Sequence, residues 1–167
     1  MGKQIYQYFV EGENEKCFVD VLKSDLRCIE AGKVEIFNAV QNSFTAARIR
    51  TLKKDTIVVL VYDTDTDSSE ILKMNIGYLQ SQKAIKEVIC IPQVENFEDV
   101  LTHACEISKA QEITHSKTKK DFKRDLIRCS NLARRLEQCQ FNKDKLWTKI
   151  PKNSFKQFGN GSARIKK

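Results

Sequence analysis

Residues 56–62, TIVVLVY, form an almost unbroken apolar and β-branched run. A strand of this kind has no polar face to turn to water, so both faces must be covered, as in the middle of a parallel sheet. Shorter runs at Ile5–Val10 (IYQYFV), residues 34–37 and residues 87–91 (EVICI, stopped by Pro92) read as further strands. Between them, apolar residues return at helical spacing. From Glu15 the set is Phe18, Val19, Val21, Leu22 and Leu26, and behind a Ser68 or Ser69 cap it is Ile71, Leu72, Ile76 and Leu79. Asn42 and Ser43 can cap a helix over 44–52, and residues 97–107 read as another. Residues 109–120 read as a polar loop, and 121–138 as one helix with Phe122, Leu126, Leu132 and Leu136 along its apolar side. From about Phe141 periodicity fades.

Strands alternating with helices imply βαβ units. The expected fold is α/β, with a central parallel sheet of about four strands flanked by helices and a basic helical carboxyl-terminal extension. A chain of 167 residues favours one domain. Within it, residues 1–108 would form the core, and 109–167 an extension and tail packed on it.

Charge divides the chain at the same place. Residues 1–108 hold 12 Lys+Arg against 17 Asp+Glu, whereas residues 109–167 hold 17 against 5, a balance of +12. A surface so basic is either a set of solvated helix faces or a phosphate-binding surface. Lys117, Lys119, Lys120, Lys123 and Arg124 are the densest run and the candidate nucleic-acid contacts. Trp147, Phe155 and Phe158 lie among lysines, a pattern that fits base stacking or packing of the tail on the body, the latter favoured.

The six cysteines include no Cys-x-x-Cys, and His103 and His115 stand in no zinc-like spacing. Free thiols in a reducing cytosol explain them best. The chain is polar after Met1, and no apolar run approaches the ~20 residues of a membrane span, so a cytoplasmic protein with no membrane partner is expected.

Open parallel sheets bind ligands beyond the carboxyl ends of their strands. Two acidic clusters fall at such ends: Glu11, followed by Glu13 and Glu15, and the series Asp63, Asp65, Asp67. Crowded carboxylates repel one another, and a divalent cation relieves that repulsion. Mg²⁺ (or Mn²⁺) suits an all-oxygen site. Glu11, Asp63 and Asp65 are the expected ligands. Asp67 is a further candidate, although capping of the following helix is the better explanation of it alone.

The pair Glu11-Gly12 at one strand end and Asp63-Thr64-Asp65 at a later one resembles the Toprim domain, and most closely small stand-alone Toprim proteins of the RloB-like and OLD types. Glu11-Gly12-Glu13-Asn14-Glu15 resembles the Glu-Gly-x-x-Glu form of the first motif, residues 92–98 the segment after the fourth strand, and residues 117–121 the lysine-bearing carboxyl part. The resemblance spans about residues 4–138. It implies a Toprim-like, Rossmann-like fold and Mg²⁺-dependent hydrolysis of DNA or RNA. Glu11 would act as ligand or general acid/base, Asp63 and Asp65 as ligands, and Glu15 as ligand to a second ion. It also implies a place in bacterial anti-phage defence beside an ATPase partner.

Two other readings stay open. The chain could be a nucleic-acid-binding regulatory subunit of an ATPase-containing complex, inactive alone. Alternatively, Asp63-Thr64-Asp65-Thr66 fits the Asp-x-Asp-x-Thr pattern of haloacid-dehalogenase-like phosphatases, with Asp63 as nucleophile, although there the motif follows the first strand.

Overall fold

The computed structural model describes residues 2–167. Its centre is a four-stranded, wholly parallel sheet in the order β2-β1-β3-β4. The strands are β1 (Ile5–Val10), β2 (Lys33–Ile36), β3 (Thr56–Asp63) and β4 (Ile85–Gln93). Every residue of β3 except Asp63 is buried, as its composition demands.

The order of strands reverses at β1. The chain steps outward from β1 to β2, then returns to place β3 on the other side of β1. Connections of one hand must then cover opposite faces. Accordingly α1 (Glu13–Ser24), which joins β1 to β2, packs Phe18, Val19 and Leu22 on the face formed by Tyr8, Val10, Val59 and Val61. The short α2 (Ala46–Ile49) and α3 (Glu70–Gln80) bury Ile49, Leu72 and Leu79 on the other face, against Phe9, Val58, Leu60 and Tyr62. The architecture is therefore Rossmann-like.

Several boundaries differ from the sequence reading. Pro92 lies within β4 and pairs with Tyr62 instead of stopping the strand. β4 is an edge strand, where a missing N–H can face away from the ladder. The expected 97–107 helix ends sooner, as α4 (Phe97–Ala104). The supposed loop 109–120 contains the single turn α5 (Gln111–Thr114) and the start of the next helix. The expected 121–138 helix is two, α6 (Lys119–Arg128) and α7 (Leu132–Gln138). Leu126 and Leu132 are six residues apart, which on one continuous helix would set them about 120° out of phase. The break at 129–131 turns Leu132 and Leu136 back into the same apolar cluster as Phe122 and Leu126.

The tail is the largest departure. Three 3-10 turns carry it back over the sheet, with Asn142 and Asn153 capping two of them by accepting from the N–H groups of Asp144 and Phe155. Trp147 joins the cluster on the α1 face, and Phe155 lies against Tyr62 on the other, with ring centroids 5.9 Å apart. Both are buried, so neither ring is free to stack on bases; Phe158 is half-buried against Phe155. Among the described residues no helix is long and apolar enough to cross a membrane. All six cysteines are free thiols, three of them buried.

If the tail completes the core, Phe155→Ala should lower the unfolding free energy by about 3–5 kcal/mol, the usual cost of emptying a buried aromatic site. Denaturant titration checks it, with the half-buried Phe158→Ala expected to cost clearly less.

Candidate functional site

The reversal point between β1 and β3 is where an open parallel sheet leaves a crevice beyond its strand ends. Glu11 is the first residue after β1, Asp63 is the last of β3, and Gln93, the last of β4, is paired in register with Asp63. Glu15 enters from the first turn of α1. Ligand oxygens of Glu11, Glu15 and Asp63 all lie within 4.8 Å of one another.

Hydrogen bonds fix two of the three. The Asp63 backbone N–H donates to Glu11 Oε1 at 3.0 Å, tying the two strand ends together through a side chain. Gln93 Nε2 donates to Asp63 Oδ1 at 2.8 Å. The Gln93 side-chain carbonyl oxygen accepts from Trp147 Nε1 at 3.3 Å. An indole N–H can only donate, so this contact dictates which end of the Gln93 amide meets Asp63.

All three carboxyls hold their protons more tightly than in water. Burial pushes Asp63 up from an ordinary 3.8 to about 9, with the charges of Glu11 and Glu15 adding to it. Burial raises Glu15 to about 6, and the neighbouring Glu11 and Glu98 charges add while Lys123 opposes. Glu11 is raised by burial too, against the lowering effect of its hydrogen bonds from Asp63. A group of carboxylates packed this closely, with hard oxygen donors only, can be relieved by protons or by a divalent cation.

The sequence reading expected Glu11, Asp63 and Asp65. The structure gathers Glu11, Asp63 and Glu15, while Asp65 and Asp67 stay exposed outside the group. The reason is local. Thr64 turns inward, its N–H shared between the carbonyls of Gln93 (3.2 Å) and Glu95 (2.8 Å), and its own carbonyl takes a hydrogen bond from Asn153 Nδ2 at 2.8 Å. β3 therefore ends at Asp63, and Asp65 leaves toward a cleft of about 900 Å³ bordered by Asp67, Glu95, Lys149 and Lys152. Its charge still reaches the site, raising Glu11 and Asp63.

The basic run sits beside this crevice. Asn14 Nδ2 donates to the Lys123 carbonyl at 2.8 Å, which holds α6 against the start of α1. Lys123 Nζ is 4.0 Å from Glu98 and favours the charged form of Glu15. Arg124 is occupied by Asp121 and Asp125, each at 3.3 Å. Lys117, Lys119 and Lys120 are exposed around the amino terminus of α6. Gln93, Trp147 and Asn153 carried no strong signal as site residues. Ending the fourth strand before Pro92 leaves Gln93 outside it, within the 92–98 segment, whereas the strand runs on to Gln93. Comparisons with models of protein families, with curated proteins and with solved structures gave no match.

Because Asp63 and Glu15 bind protons more tightly folded than unfolded, their contribution to stability is complete below about pH 4 and drains away as pH rises, through about 6 for Glu15 and about 9 for Asp63. Thermal unfolding in EDTA should therefore show the melting temperature falling between pH 5 and 9. Asp63→Asn, which removes the buried charge, should flatten that fall and leave the variant more stable than wild type at pH 9.

Proposed function

We propose that the chain is a Toprim-type, Mg²⁺-dependent nuclease that hydrolyses phosphodiester bonds of DNA or RNA at the Glu11–Glu15–Asp63 crevice. One observation carries the reading: three half-buried carboxylates, two at the neighbouring ends of β1 and β3 and one from the first turn of α1, with oxygens within 4.8 Å, at the switch point where open parallel sheets generally bind ligands. The donor set fits a hard divalent ion, and Glu11, Gly12, Glu15 and Asp63 are among the positions that carry the Toprim resemblance, while Asp65 of its Asp-x-Asp pair lies outside the group. A divalent ion held there supplies charge neutralisation of a phosphate oxygen and a more acidic water.

The chain's own groups divide the remaining work. Asp63 is aimed by the Gln93 amide, and Glu11 is held by the Asp63 N–H. Glu15, raised by burial to about 6, suits proton transfer as well as ion binding. Asp65 and Asp67, exposed on the cleft beside Lys149 and Lys152, would act through charge or as outer ligands. Lys117, Lys119, Lys120 and Lys123 would counter the repulsion between this acidic crevice and a polyanion, with Arg124 weakened by its two acidic neighbours. The free thiols fit a reducing cytoplasm. A role as the nucleic-acid-binding subunit of an ATPase-containing defence complex would use the same surfaces. A phosphatase using Asp63 as nucleophile leaves Glu11 without a role, and no observation favours it.

A cleavage screen on single- and double-stranded DNA and RNA tests the proposal. Cutting with Mg²⁺ or Mn²⁺ should vanish in EDTA, and Glu11→Gln should lower the rate by about 10²–10⁴. Wild-type rates in Glu11→Gln would sink the mechanism.

The basic run makes a separate prediction. Replacing Lys119 and Lys120 by alanine should weaken nucleic-acid binding at low salt. The slope of log affinity against log salt should also fall, by about 1 for each phosphate that is no longer neutralised. Fluorescence anisotropy at several salt concentrations reads both; an unchanged slope removes this surface from the interface.

A further inference from the structure

Asp63 is the end of a chain of contacts that begins in the tail. Trp147 is almost wholly buried, at 3% exposure, and Gln93 more so, at 1%. Gln93 carries both a donor and an acceptor, and each has a single directed use: Nε2 to Asp63 at 2.8 Å, Oε1 from Trp147 at 3.3 Å. A rotation of the amide by half a turn would place its oxygen against an ionised Asp63 carboxylate and its NH₂ against the indole N–H, and neither contact would then be a hydrogen bond.

Trp147 is held where it stands by unusual means. Its backbone lies in the left-handed region, with φ 53°, which a bulky residue rarely adopts. Two later residues clamp that conformation: Asn160 Nδ2 and Ser162 Oγ donate to the Trp147 carbonyl at 2.7 and 2.9 Å. A backbone outlier over-determined by its surroundings is the kind found next to functional sites.

We propose that Trp147 is a positioning residue: through Gln93 it fixes the orientation of the Asp63 carboxylate, so that the tail segment 147–162 is part of the crevice. The chain of contacts stands on geometry alone. Its consequence for divalent-ion binding rests on the nuclease reading above. Groups that orient a ligand from behind are usually worth about 10- to 100-fold in ion affinity.

The test uses the full chain and two readouts. Trp147→Phe keeps most of the ring and removes the N–H; Gln93→Met keeps the length and removes the amide. The first readout is Mn²⁺ binding followed by the paramagnetic resonance signal of the free ion. Each variant should bind Mn²⁺ about 10- to 100-fold more weakly than wild type, and the double variant no more weakly than Gln93→Met, because both act through one amide. A merely structural role would make the two effects add.

The second readout needs no ion: the ¹H–¹⁵N resonances of the Gln93 side-chain amide. In wild type they should be well resolved and slow to exchange, and in Trp147→Phe they should collapse toward free-amide positions. Unchanged Gln93 amide resonances in Trp147→Phe overturn the positioning role, whatever happens with Mn²⁺. Failure of wild type to bind Mn²⁺, with the amide resonances shifting as expected, would instead overturn the metal reading and leave the positioning role standing. Should Trp147→Phe fail to fold, Asn160→Ala, which releases the clamp at a half-buried position, must shift the same resonances or the proposal fails.

Discussion

The pairing of β1 with β3 governs everything at the crevice. In parallel register, Tyr8 beside Val59 and Phe9 beside Leu60 carry the two strands side by side to their carboxyl ends. Acidic residues follow at both ends. The repulsion this creates is answered within the chain by the Asp63 N–H on Glu11 and the Gln93 amide on Asp63. Both contacts depend on the sheet being parallel. With either strand reversed, the two carboxylates would stand at opposite edges, several strand residues apart at over ~3 Å each. The reversal of strand order at β1 then keeps α1 and α3 on opposite faces, which leaves the ends of β1 and β3 open between them.

How much of this can be read from the residues follows from what each signal measures. β3 is legible because seven buried positions in succession leave a β-branched, apolar string with no competing helical period. Glu11 and Asp63 are legible because strand ends are where a run of apolar residues stops, and both stop on an acid. Glu15 against Asp65 is harder. The choice depends on whether the chain after β3 continues extended, and a buried threonine with two backbone acceptors decides that. No pattern of residue types records those acceptors, since both are carbonyls of β4 and the turn behind it. The break between α6 and α7 was recoverable in principle: a six-residue step between leucines is out of phase with a single helix, and Ser130-Asn131 is a pair that favours stopping one.

The tail is where sequence patterns say least. Trp147 and Phe155 are separated by lysines and fall in no period of 2 or 3.6, because 3-10 turns capped by asparagines deliver them one at a time to opposite faces of the sheet. An aromatic residue among lysines looks the same in sequence whether it stacks on a base or fills a core. Only the burial decides, and here it places both rings inside. The lysines between them remain outside, so the last third keeps its basic character even though its aromatic residues are taken up by the core.

The crevice also runs against stability. A well-packed sheet would gain by replacing Asp63 with an apolar residue, and Gln93 would then need no partner. Instead the chain keeps a carboxyl whose burial raises it to about 9, commits a buried amide to orienting it, and holds that amide with a tryptophan in a backbone conformation that bulky residues avoid. Sites where local rules are broken together, and in the same direction, are where function is expected to have set the residue instead of folding. A lone buried acid can be an accident of packing. Two acids at neighbouring strand ends and a third from the first turn of α1, with Asp63 aimed by an amide whose orientation is itself enforced from another part of the chain, define one point in space with more precision than the fold alone requires.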